Sequence, residues 1–366
     1  MSVLFEETSI KGMTLKNRFI RSATWEGMAD EKGRMTPRLY DLYARLADGG
    51  TALLILSHAF VRRDGQVGAG QLSFSSDDQI PEYRKLTELV HSRGAKICTQ
   101  LAHAGFLARE KLTGAPLIGA SAHVQGYDHT ARELNREGIA ELASAFAKAA
   151  ARAVEAGFDA VQIHAAHTYL LSQFLSPYFN HRTDEYGGSV ENRARAAFQV
   201  YGEIRSAVGA DYPVLIKINA DDFLEGGFSS EDSAAVCRML SERGIDAIEL
   251  SGGNLVVPKY RPARPGKITP ETEVFYRSQA ERVKSSITCP LMLVGGIRSF
   301  ETAERLTRKK LADYISLSRP LIREPDLVKR WESGDRRPAG CLSDNACYKP
   351  IYAGEGIRCP HLDQAE

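Results

Sequence analysis

Residues 164–195 read HAAHTYLLSQFLSPYFNHRTDEYGGSVENRAR, and they follow the run Asp159-Ala-Val-Gln-Ile163. That run is brief, β-branched and preceded by the turn residue Gly157, the signature of a buried strand. His164 and His167 stand three apart, with Tyr169 two further on. A chain leaving the strand in a helical turn would project both imidazoles to one side of the strand's carboxyl end. The polar loop beyond turns at Gly187-Gly188. Ser189 suits a helix N-cap, and Glu191 and Arg195 are spaced for an i,i+4 pair. Two readings compete with catalysis. His-x-x-His could be half of a zinc site, which needs three or four ligands, or both rings could be satisfied structural groups.

Outward from this stretch, strand-like and helix-like pieces alternate. The patterning predicts strands over 19–23, 51–57, 95–100, 159–163, 213–218, 245–250, 290–294 and 312–317. It predicts helices over 37–48, 81–93, 138–156, 190–208, 229–243, 271–285, 299–310 and 324–333. Pro37 and Pro81 suit first helical positions, and Gly94, Gly157 and Gly244 suit helix ends. Two short apolar pieces around Gly12, within residues 3–15, predict a hairpin closing the bottom of a barrel. Eight β-α units without a composition break predict one closed α/β (β/α)8 TIM barrel over 1–335, with a short C-terminal tail at 336–366. A doubly wound sheet would need a dinucleotide glycine fingerprint after an early strand, and the sequence has none.

Alternation within the strands assigns the two faces. Val161 and Ile163 oppose Gln162 and His164; Val214, Ile216 and Ile218 oppose Lys217 and Asn219; Ile315 and Leu317 oppose Ser316 and Ser318. Gln100 closes its own strand. The polar set gathers at carboxyl ends, where barrel active sites lie. Solvated strand ends explain a serine, but an inward Lys217 is costly without an anionic partner.

The 366 residues are 43% apolar and 25% charged, with a formal net charge of +1. Near-neutral charge argues against nucleic acid or an anionic membrane as the main partner. No apolar run approaches the roughly 18 residues of a membrane span. The start, MSVLFEETS, lacks a basic region followed by an apolar core. Six cysteines in this length do not suggest a disulfide scaffold, so a cytoplasmic setting is expected. The oligomeric state is open, a homo-oligomer included.

His164-Ala-Ala-His-Thr-Tyr-Leu170, followed by Asn180-His-Arg-Thr-Asp-Glu-Tyr-Gly-Gly-Ser-Val-Glu-Asn-Arg-Ala-Arg195, resembles the signature of the old yellow enzyme family of FMN-dependent oxidoreductases. The resemblance extends from about Leu4 to about Leu327. It implies a (β/α)8 barrel that binds FMN, takes hydride from NAD(P)H and reduces the activated alkene of an α,β-unsaturated carbonyl compound. By the same resemblance, His164 and His167 hydrogen-bond the substrate oxygen, and Tyr169 protonates the α-carbon. Ser22-Ala23-Thr24-Trp25 lies along the flavin, Gln100 meets its pyrimidine edge, and Lys217 stands near N1. Trp25 is a departure, because the family often holds a threonine or cysteine there. Gly295, Gly296, Ser318 and Arg319 match phosphate-binding segments, and Gly253 is a further glycine-rich candidate. His58, Trp25 and Tyr127 are candidates for the pocket wall.

Two other enzyme readings stay open at this point: amine or alcohol oxidation on the same flavin, and a flavin-free barrel lyase using a metal at His164 and His167. A flavin store without turnover is a non-catalytic alternative. No metal is assigned. Cys341, Cys347 and Cys359 resemble the iron–sulfur segment of larger relatives, but only three thiols occur, with Asp344 near the expected second position. They read as an altered site.

Overall fold

The computed structural model describes residues 2–123 and 125–362. Strands β1 (Thr8–Ile10) and β2 (Met13–Leu15) form the antiparallel hairpin, with Lys11 and Gly12 in left-handed turn conformations. The barrel strands are β3 (Phe19–Arg21), β4 (Leu53–Phe60), β5 (Lys96–Ala102), β8 (Ala160–Ala165), β9 (Val214–Asn219), β10 (Ala247–Ser251), β11 (Leu291–Leu293) and β12 (Tyr314–Leu317). They pair in parallel and in chain order, β12 returning to β3, so the sheet closes. Between β5 and β8 a two-stranded parallel piece, β6 (Ile118–Gly119) with β7 (Arg132–Glu133), lies outside the barrel.

The helices that follow the strands are α1 (Pro37–Asp48), α2 (Ile80–His91), α3 (Glu110–Thr113), α4 (Arg136–Glu155), α5 (Leu170–Leu175), α6 (Val190–Val208), α7 (Ser230–Glu242), α8 (Arg277–Lys284), α9 (Phe300–Arg308), α10 (Arg319–Arg323), α11 (Leu327–Glu332) and α12 (Lys349–Tyr352). Ser189 caps α6 by accepting from the Asn192 N–H, as its position predicts. Three expectations differ. Arg195 bonds the Glu185 carbonyl and the Asn192 side chain rather than Glu191. The helix expected over 271–285 begins only at Arg277, because Val274 turns left-handed and sends Phe275 and Tyr276 against Gly296 and Gly295. The helix expected over 324–333 begins only at Leu327, because Pro325 holds Glu324 out of helical geometry and separates it from the short α10.

The two strand faces separate as alternation predicts. Val161, Ile163, Val214, Ile216, Ile218, Ile315 and Leu317 pack outward among the helices. The other parity fills the interior. At the lower end it is apolar: Leu53, Ile55, Cys98, Ala160, Leu215, Met292 and Tyr314, plugged by Ile10, Met13 and Leu15 of the hairpin. At the upper end it is polar. No helix among the described residues is long and apolar enough to cross a membrane.

Candidate active site

Going up the barrel, the inward residues change character within one strand. In β9, Leu215 belongs to the lower plug and Lys217 to the floor of a cleft. The Lys217 side chain is only 3% exposed, and its ammonium reaches the Glu249 carboxylate at 3.1 Å. It also donates to Ser22 Oγ at 2.8 Å. Glu249 is the anionic partner that an inward lysine requires, delivered by β10 directly beside Lys217 in register. Burial still holds the lysine below its usual range, with Glu249 opposing that shift.

The cleft opens at the carboxyl ends of the strands and holds a void of about 190 Å³. Ser22, Ala23, Thr24, Trp25, His58, Gln100, His164, His167, Tyr169, Lys217, Gly295, Gly296, Ser318 and Arg319 all line it. Two proposed residues, Gly253 and Tyr127, stay outside. Gly253 donates its N–H to the Asp221 carbonyl, accepts from Asn219 Nδ2, and would put a Cβ 2.0 Å from the Tyr260 carbonyl. Its glycine is demanded by chain packing, not by the cleft. Tyr127 packs on Phe106, with ring centroids 5.1 Å apart, and does not line the cleft either.

His164 and His167 converge, with ring centroids 5.3 Å apart, but not by a helical turn. His164 is the penultimate residue of β8, whereas His167 and Thr168 are consecutive left-handed residues with φ of 60° and 66°. Such backbone is uncommon outside glycine and persists where surrounding groups hold it. Asn219 Oδ1 accepts the His167 N–H at 3.1 Å, and Ser172 Oγ accepts that of Thr168. His167 Nε2 is joined to Ser251 Oγ at 2.7 Å. The Tyr169 ring stacks on His164 at 4.4 Å, and its hydroxyl is joined to His58 Nε2 at 2.9 Å. Burial first, and nearby Lys217 with it, depresses His58 to about 3 and holds His164 and His167 well below the usual histidine range. All three rings are therefore neutral near pH 7. Burial pushes Tyr169 up, so it keeps its proton.

At the other end of the cleft Arg298 and Arg319 are both buried. Arg319 is tied to the carbonyls of Arg264 and Ser343 and to Asn345 Oδ1, and Arg298 to Ser343 Oγ. The C-terminal tail thus packs directly over these arginines, and Tyr348 completes the wall. Burial, with Arg319 nearby, lowers Arg298 to about 10. Arg298 Nε and Ser316 Oγ are buried without a partner among the described residues. Gly295 and Gly296 have positive φ, and a Cβ on either would strike Tyr276 or Phe275. Two buried cations, an orphaned N–H and a glycine turn at strand ends form a cradle suited to a dianion.

Residues 3–337 match the NADH:flavin oxidoreductase / NADH oxidase family. The chain belongs to that family. Its cofactor is accordingly FMN, which excludes the flavin-free lyase reading. It is 35% identical over 323 residues to an NADPH dehydrogenase of Bacillus subtilis (strain 168), covering 88% of this chain and 92% of that one. It is 33% identical over 367 residues to a metal reductase of Desulforamulus reducens (strain ATCC BAA-1160 / DSM 100696 / MI-1), covering 98% of this chain but 53% of that protein. The chain thus spans about half the length of that relative. The structure of an old yellow enzyme homologue from Zymomonas mobilis superposes with a TM-score of 0.80 at 26% identity, covering 98% of this chain and 97% of that one.

The donor set fits the family's cofactor: an anion cradle at one end, and an amide (Gln100) with a cation (Lys217) deep in the barrel. Sequence reasoning missed Glu249, Arg298 and Tyr348. Glu249 was findable, since it shares the inward parity of Ala247 and flanks the strand of Lys217. Tyr348 carries no such signal. The three tail thiols of Cys341, Cys347 and Cys359 do line one small cavity with Asp344 and His361. Among the described residues, however, no group of three His, Cys, Asp or Glu side chains is placed to hold a metal.

Proposed function

We propose that this chain is an NAD(P)H-dependent reductase of activated alkenes in α,β-unsaturated carbonyl compounds. The observation that carries the reading is the convergence of neutral His164 and His167 with a protonated Tyr169 in the cleft that holds Lys217 and Gln100. The B. subtilis relative's name, NADPH dehydrogenase, supports the choice of donor.

FMN, when bound, supplies the redox centre that takes a hydride from the nicotinamide and returns one to the alkene. Arg298, Arg319, Ser318 and the amides of Gly295 and Gly296 would hold its phosphate. Gln100 would meet the pyrimidine edge, and Lys217 would stabilise negative charge near N1 and C2. Ser22, Ala23, Thr24 and Trp25 would line the ring.

On the substrate side, neutral imidazoles donate one N–H each. The Ala166 N–H lies 3.4 Å from His164 Nδ1, which leaves Nε2 of that ring for a carbonyl oxygen. Ser251 occupies Nε2 of His167, which leaves Nδ1. Two donors on one carbonyl oxygen draw charge from the β-carbon and stabilise the enolate that forms. Tyr169 gives its proton to the α-carbon. His58 Nε2 holds the tyrosine oxygen in place meanwhile.

Stopped-flow measurement of the two half-reactions tests this directly. Tyr169→Phe should leave reduction of the enzyme by the nicotinamide intact and slow alkene reduction about 100-fold. A wild-type rate with an enone would remove Tyr169 as the donor. His164→Ala with His167→Ala should abolish binding of phenol-like ligands while FMN stays bound.

A further inference from the structure

Four polar side chains form an unbroken line across the barrel floor, and the roles proposed above use only its two ends. Gln100 Nε2 donates to Gln162 Oε1 at 2.7 Å. Gln162 Nε2 donates to Glu249 Oε2 at 2.9 Å. Glu249 Oε2 also meets Lys217 Nζ at 3.1 Å. Gln162 and Glu249 are both fully buried, and Glu249 Oε1 has no partner among the described residues.

The chemistry of this line runs in one direction. A carboxylate is an acceptor only, so Gln162 must turn its NH2 group toward Glu249. The oxygen of Gln162 then faces Gln100, which must answer with its own NH2. The Gln100 oxygen and its second N–H are left for the cleft. An amide's two ends are close in shape, and nothing in the shape of the Gln100 pocket alone need choose between them. The buried anion chooses, two residues away. The same carboxylate fixes where the ammonium of Lys217 sits, and it offsets part of that ammonium's charge.

We propose that Glu249 is the positioning residue for the pyrimidine end of the flavin site. It orients Gln100 through Gln162, holds Lys217 in place, and tempers the field that Lys217 exerts on the cofactor. This rests on the reading that Gln100 and Lys217 face the pyrimidine end. A free amide oxygen beside a free N–H matches the adjoining N3–H and carbonyl of that ring edge. A lysine with its counter-ion removed favours the anionic reduced cofactor more strongly than a paired one.

The test uses the FMN-loaded protein and two readouts other than turnover: the reduction potential of the bound flavin and the FMN dissociation constant. Lys217→Met should shift the potential to more negative values, because a cation is lost. Glu249→Gln should shift it the opposite way, because an anion is lost beside an intact cation. Gln162→Met leaves the ion pair in place but cuts the line to Gln100. It should raise the FMN dissociation constant about tenfold, the loss of one well-placed hydrogen bond. A Lys217→Met protein with unchanged potential and affinity would overturn the placement of the pyrimidine end itself. A normal Lys217→Met response with no upward shift in Glu249→Gln would overturn the role of Glu249 alone. Should Glu249→Gln not fold, Gln162→Met decides, and unchanged FMN affinity there rejects the proposal. Glu249→Asp, which keeps the charge, should keep the potential near wild type, and an upward shift there would count against charge as the cause.

Discussion

The lower and upper halves of the barrel interior are built from the same strands and obey opposite rules. Two residues along β9 separate Leu215, sealed among Leu53, Met292 and the hairpin, from Lys217, paired with Glu249. The lower half is held by apolar burial. The upper half is nearly as buried yet carries an ammonium, a carboxylate, amides and the rings of His58 and His164, with His167 half-buried beside them. It survives because neighbouring strands in register supply a partner for most of its polar groups. Closure of the barrel makes this division possible, since every inward position has inward neighbours on both sides.

Moving a charge from one half to the other should have the largest effect. Leu215→Lys places an ammonium in the plug with no carboxylate in that cluster to meet it. The expected outcome is loss of the native fold, on the order of 5 kcal/mol or more, seen as insoluble or non-cooperatively unfolding protein. Cooperative thermal unfolding near the wild-type midpoint would show that the lower half is as forgiving as the upper.

A cavity in the plug should come next. Leu15→Ala removes a fully buried side chain of the hairpin. Stability to urea should fall by about 3 kcal/mol, while the visible spectrum and the FMN dissociation constant stay unchanged. A coupled change in flavin binding would mean that the two halves are not mechanically separate.

The two halves were also unequally legible in the sequence. Face parity came through where a polar residue interrupts the apolar run, as Gln162 does between Val161 and Ile163 and Lys217 between Ile216 and Ile218. Lys217 stood out because an inward lysine is expensive. Its partner Glu249 was implied by that argument but needed strand register, a tertiary fact, to be named. The left-handed backbone at His167 and Thr168 could not be read from spacing, since Asn219 and Ser172 hold it from outside the motif. Gly253 looked like a ligand contact because a Gly-Gly pair after a strand has two uses, and only the approach of the Tyr260 carbonyl tells them apart. Tyr348 and the seating of the tail on Arg298 and Arg319 depend on contacts across the whole chain.

Acid should discriminate between the halves by a smaller but distinct margin. His58, His164 and His167 lie in the upper half with their affinities for a proton depressed chiefly by burial, while the plug is built of apolar side chains. In the unfolded chain a histidine takes a proton near pH 6.5. Between the folded and unfolded values the unfolded state binds more protons, so this stability is fully present above pH 6.5 and is lost as pH falls toward the folded values. For His58, held at about 3, the loss at pH 5 is about 2 kcal/mol. Asp222 works in the other direction. Burial raises it to about 6, so its folded form gains a proton first and adds about 1 kcal/mol of stability between pH 7 and pH 5. Asp221 and Glu82, also raised by burial, act in the same direction as Asp222, so the expected weakening on acidification is read at His58. His58→Gln keeps a hydrogen-bonding partner for Tyr169 and cannot titrate. Urea unfolding at saturating FMN, run at pH 7 and at pH 5, should show this variant losing about 2 kcal/mol less than wild type. Equal losses in the two proteins would mean that His58 is protonated in the native state. The neutral-ring picture of the upper half would then have to be given up.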